Sequence, residues 1–212
     1  LASIYHCAVL PSYMNHRTKL MRAAFRLFVL VAGLALSACY PTTREAIGIA
    51  SGPVNDPYLT GVWQGHISGD AGNTYLFFLS HPPEPPQIML IRPGDGKDPA
   101  EWANFSLVVG KAGTHGILNV QFDNGSLPRD EAPDFTPMLY RIEADGALHM
   151  FLMNSLAAED IVRANRMAGE IVSAGKSADV TFTGDPKTLD AVFAANAPKY
   201  FTVDFGTFRR SP

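Results

Sequence analysis

Apolar and polar residues alternate along "GILNVQFD". Leu118, Val120 and Phe122 fall on one side, and Asn119, Gln121 and Asp123 on the other. A period of two is that of a β-strand with one dry and one wet face. Short apolar stretches of strand character recur from Tyr58 onward: "LTGVWQGHI", "TYLFFLS", "QIMLI", "WANFSLVVG", the pair "MLYRIE" and "ALHMFLM" around Asp145-Gly146, then "ADVTFT" and "YFTVDFGTF". Asp-Gly supplies the positive φ that a tight hairpin turn needs. Two stretches carry a helical period instead. "LAAEDIVRANRMA" follows a capping Asn154 or Ser155, with acids early, Arg163 and Arg166 late, and Gly169 as a stop. Asp185-Pro186 caps and opens a second helix, whose Leu189, Val192 and Phe193 form an apolar stripe, and Asn196 and Pro198 end it. The pattern predicts eight or nine strands and two short helices. Hairpin-length connections force antiparallel order. The expected fold is mainly β (α+β): an antiparallel meander forming a small barrel or half-barrel, with helices closing an end or packing on a face. "TYLFFL" and "HMFLM" are apolar on both faces, so their outer faces need a helix, a partner or lipid to cover them.

One apolar run is of a different kind. Leu27 to Leu36 is uncharged and follows Arg17, Lys19, Arg22 and Arg26, with no acidic residue before Glu45. Ten residues are too few to span a bilayer, which takes about 20 helical residues. A basic segment, a short apolar core and small residues at its end describe a secretory signal peptide. The run ends in Leu36-Ser37-Ala38-Cys39, which resembles the lipobox of bacterial lipoproteins. That resemblance implies a diacylglycerol on the Cys39 sulfur, cleavage between Ala38 and Cys39, and acylation of the new amino group by a fatty acid such as palmitate. One acyl chain binds a membrane marginally, at about 0.8 kcal/mol per buried methylene, whereas two or more hold stably. Tyr40 and not Asp stands directly after Cys39, which by the family's sorting tendency implies the outer membrane over the inner, facing the periplasm. The other cysteine, Cys7, stands on the segment to be discarded, so Cys39 has no disulfide partner in the mature chain.

The expected organisation is a signal peptide at 1–38, with 1–20 read as an over-extended start ahead of Met14 or Met21, a lipidated flexible tether at 39–57, and one β-rich domain at 58–212. The tether reading rests on the Pro, Gly, Ser and Thr of "YPTTREAIGIASGPVNDP". Losing the leader leaves 13 Lys and Arg against 20 Asp and Glu, a charge near −7. That excludes a nucleic-acid surface built on clustered cations. It also excludes attraction to anionic lipid, so the membrane is held through the acyl chains on Cys39.

The domain carries no specific catalytic signature. Gly61-Val62-Trp63 resembles the Gly-x-Trp of the first strand of lipocalins, barrels that carry apolar ligands, and makes Trp63 a candidate ligand contact or a filler of the barrel base. His149 is the second candidate, as a ligand contact or, in an enzyme, beside a buried carboxylate. His66, His81, His115 and His149 lack metal-ligand spacing, and Asp95, Asp98 and Glu101 lack the ladder of a calcium loop. No Gly-x-Ser-x-Gly elbow or Gly-rich phosphate loop occurs. No cofactor or metal is expected. The leading expectation is a non-enzymatic envelope lipoprotein acting through an envelope protein partner. Alternatives are a lipocalin-like carrier of a small apolar ligand and an enzyme with a dispersed active site.

Overall fold

The apolar stretches become strands. A computed structural model describes residues 40–80, 85–94, 99–122, 134–174 and 177–211. The chain divides at residue 39, and the predicted signal peptide, with Ala38 and Cys39, lies outside the described residues. After a two-residue strand β1 (Thr42–Thr43) come β2 (Gly61–Ile67), β3 (Thr74–Leu79), β4 (Gln87–Arg92), β5 (Glu101–Ala112), β6 (His115–Phe122), β7 (Thr136–Ile142) and β8 (Leu148–Leu152). Helix α1 (Ser155–Arg163), β9 (Gly169–Ala174), β10 (Ser177–Phe182), α2 (Pro186–Ala194) and α3 (Ala197–Tyr200) precede the last strand, β11 (Val203–Arg210).

β2 to β8 pair antiparallel in chain order, and β11 pairs with both β8 and β2, closing an eight-stranded barrel. Eight strands enclose a space that side chains can fill. Trp63, Leu76, Phe78, Leu118, Met150 and Phe208 occupy it, each almost wholly buried. The β7–β8 hairpin turns at Asp145-Gly146 as expected, with Gly146 at φ 80° and Glu143 N–H bonded to the Ala147 carbonyl.

The excursion between β8 and β11 forms a layer on the outside of the barrel. β9 and β10 make a hairpin, and β1 joins β10 in parallel, giving a three-stranded sheet β1-β10-β9. A second core lies between this layer and the barrel wall: Ile161, Phe182, Phe193 and Phe201 pack toward Ile117 and Leu139. The Phe193 ring meets Phe182, Tyr200 and Phe201 edge-on at 5.9, 5.7 and 5.8 Å, a favoured aromatic geometry.

Asn154 caps α1 by accepting from Ala157 N–H, and Asp185 caps α2 by accepting from Lys187 and Thr188 N–H. Three expectations change. α1 stops after Arg163, short of Gly169, because Asn165 takes a left-handed conformation at φ 50°. α2 ends at Ala194, before Asn196 and Pro198 as expected, but these two residues do not end the helical region. They open α3, where a proline in the first turn removes no intrahelical bond. The described residues hold eleven strands and three helices, against the eight or nine and two expected.

The largest difference is at 40–57. The segment read as a flexible tether is bound along the barrel. Thr43 exchanges backbone bonds with Phe135, Arg44 N–H reaches the Phe182 carbonyl, Lys111 N–H reaches the Gly48 carbonyl, and Val54 N–H reaches the Val109 carbonyl. Asn119 points outward from β6 and was expected to be wet, yet it is fully buried beneath this segment. The compact unit therefore takes in this segment and does not begin at 58.

Candidate functional site

The barrel has two unlike ends. One carries the β3–β4, β5–β6 and β7–β8 connections and is filled by residues 54–59. The other carries the β2–β3, β4–β5 and β6–β7 connections, and the bound segment enters there through Tyr40 and the Thr43–Phe135 bridge.

Trp63 sits at the filled end, 2% exposed, with its indole N–H donating to the Leu59 carbonyl at 2.8 Å. Arg210, its register partner on β11, lays its guanidinium 5.2 Å from the ring centre and donates to the Tyr58 carbonyl at 2.5 Å. The cation on the indole face and the two hydrogen bonds clamp the entry to β2. Beside them the Tyr140 hydroxyl donates to Asp56 Oδ2 at 2.7 Å. Burial first, then the bond to Asp56 and its negative charge, push the Tyr140 pKa well above its usual 10. A phenol so held is a poor acid, so the pair works as a latch. A shallow cleft, open to solvent and too small to enclose a ligand, runs beside it between Val54, Asp56, Leu59, Phe78 and Leu107.

His149 lies elsewhere. Leu148, Met150 and Leu152 point into the barrel, so His149 points out, with Nδ1 3.1 Å from Thr207 Oγ1 and its ring stacked on Phe151 at 6.4 Å. Trp63 and His149 therefore occupy opposite faces of the barrel wall and share no site. Its described hydrogen-bond partner is a hydroxyl, not the buried carboxylate an enzyme reading needs. Glu101 forms an ion pair with Arg92, which also meets Asp70 at 2.6 Å. His81, Asp95 and Asp98 lie outside the described residues. Among the described residues no group of His, Cys, Asp and Glu is placed to hold a metal ion.

Sequence reading missed Arg210, Asn119, Asp190 and the Asp56–Tyr140 pair. Asp190 accepts from Gly48 and Ala50 N–H, tying α2 to the bound segment. Asn119 exchanges bonds with Ile47 at 2.8 and 2.9 Å and also donates to the Val108 carbonyl at 3.1 Å. A lone Asn in the strand "GILNVQF" was the available signal, since a polar group that is buried must be bonded. No family model, no curated protein and no solved structure matches the chain.

Proposed function

We propose that the protein is a bacterial envelope lipoprotein, anchored by acyl chains on Cys39, whose barrel acts through surface contacts with no catalysis of its own. The observation that carries this reading is the run Leu27–Leu36 behind four cations, ending in Leu36-Ser37-Ala38-Cys39. No helix among the described residues is long and apolar enough to cross a membrane, and two or more acyl chains are enough for stable attachment. The packed interior supports a surface-acting domain over a carrier, because Trp63, Leu76, Phe78, Met150 and Phe208 bury one another at its centre. The periplasm-facing side of the outer membrane is the proposed location.

Metabolic labelling with an alkyne analogue of palmitate tests the anchor. The wild-type chain takes up label and sediments with membranes, and Cys39→Ser does neither. A Cys39→Ser protein that is still trimmed after Ala38 and still sediments with membranes overturns the reading.

A further inference from the structure

Among the described residues, the outer wall of the barrel is covered on one side only. The helical layer packs on Ile117, Leu139 and Ala112, from β5 to β7. On the other side, strand registers align outward-facing side chains into two cross-strand rows. Tyr75, Ile91 and Trp102 form one, and Val62, Phe77 and Met89 the next. None of these six belongs to either core cluster, and Trp102 is 71% exposed. The outward positions of β2, β3, β4 and the first half of β5 include no Asp, Glu, Lys or Arg. The nearby charges Arg92, Asp70 and Glu101 are paired with one another at the strand ends.

The row with Trp102 lies toward the end of the barrel where the bound segment enters. Tyr40 packs against the interior cluster there, and Thr43 is already bridged to Phe135. Tyr40 directly follows Cys39, and an extended residue spans at most about 3.6 Å. Acyl chains on Cys39, as proposed above, would leave the barrel little slack and hold this end near the bilayer surface.

We propose that the wall of β2–β5 rests on the membrane that holds Cys39, with Trp102 in the headgroup region and Tyr75, Ile91, Phe77, Met89 and Val62 behind it. The proposal rests on the lipid-anchor reading above. Tryptophan and tyrosine favour the boundary between water and hydrocarbon, where an apolar ring and a polar edge are both accommodated. The uncharged wall and the net negative charge of the mature chain make this contact apolar, so zwitterionic lipid suffices.

The chain has two tryptophans, and the other, Trp63, is buried in the barrel. Protein purified from membranes in detergent is returned to phosphatidylcholine vesicles carrying bromine on the acyl chains, and flotation and tryptophan emission are both read. Wild type floats and loses much of its emission relative to unbrominated vesicles. Trp102→Phe floats equally and keeps the emission of Trp63. Wild type that floats without quenching overturns the docking and leaves the anchor standing. Quenching in a Cys39→Ser protein supports the docking and shows that the wall binds without the acyl chains. Loss of both flotation and quenching in wild type overturns both. Concentration-dependent cross-links through this wall, with Trp102 unquenched, overturn the docking in favour of a second copy.

Discussion

Asn119 on β6 and Ile47 in the bound segment pair as two strands would, the side-chain amide of one exchanging hydrogen bonds with the backbone N–H and C=O of the other at 2.8 and 2.9 Å. Both residues are fully buried. Ile47 lies in a turn without a strand partner of its own, so the amide supplies what a neighbouring strand would have supplied. Asn119→Ala leaves two buried backbone groups unsatisfied, each at about 1–3 kcal/mol. The expected result is a urea midpoint shifted down by at least one such increment, with amide exchange accelerated first at 46–50. A variant whose midpoint is unchanged would show that water replaces the amide without cost.

The Tyr140–Asp56 latch gives the protein an alkaline limit. The phenol pKa is raised above its unfolded value near 10 by burial and by Asp56. A raised pKa contributes stability that is complete below pH 10 and is lost as pH climbs from there toward the native value. Tyr140→Phe should cost about 1–3 kcal/mol at neutral pH, since the bond is to a charged acceptor. The gap between wild type and variant should narrow above pH 10. Denaturation at pH 8 and at pH 11 checks both parts, and a gap that does not change with pH excludes the latch.

At the same end, Arg210 holds Trp63 through its ring face and Tyr58 through its carbonyl. Arg210→Ala removes both contacts. The cation–π part alone is about 0.5–1 kcal/mol at an exposed site. Lysine restores the charge but not the planar fork, so Arg210→Lys should recover only part of the loss. In Trp102→Phe background, the emission maximum of Trp63 should move to longer wavelength in Arg210→Ala as residues 54–59 loosen, and less in Arg210→Lys.

These residues show where sequence reading succeeds and stops. The barrel strands were legible because each buries one face, and the two main helices because Asn154 and Asp185 announce them. A barrel or half-barrel was expected and the barrel is closed, but which strands close it was not legible, since β11 reaches β8 across the whole helical excursion. The bound segment was not legible either. Its composition is that of a loop, and what orders it are side chains 72 and about 140 positions away, Asn119 and Asp190. Trp63 was singled out for the right strand, but its partner Arg210 stands at the opposite terminus. His149 looked comparable in sequence because the inward or outward sense of β8 is decided by its neighbours.

Asp185 gives α2 an acid-sensitive start. Its carboxyl is held below the ordinary aspartate range by the Thr188 hydroxyl first, then by the N–H groups of Thr188 and Lys187. A lowered pKa contributes stability above the unfolded value near 3.8, lost as pH falls through the native one. Asp185→Ala should lower the melting temperature at pH 7, and the difference should close as pH falls through and below 3.8. Asp185→Asn keeps a capping oxygen and should lose less at pH 7, and its difference from wild type should also change as the wild-type carboxyl is protonated.

Gly110 tests whether the bound segment behaves as one unit. A Cβ there would run into the Ile47 carbonyl oxygen, as one at Gly48 would run into the backbone of Lys111. These close approaches set the segment flat enough on β5 for Asn119 to reach Ile47. Gly110→Ala should therefore displace the same carbonyl that Asn119 bonds. Once it is displaced, removing the amide has less left to break, and the two substitutions should be less than additive. Coupled neighbours differ from additivity by about 0.5–3 kcal/mol. Urea denaturation of Gly110→Ala, Asn119→Ala and the double variant reads this directly. A double variant whose loss equals the sum to within about 0.5 kcal/mol would mean that the glycine contact and the amide pair hold the segment independently.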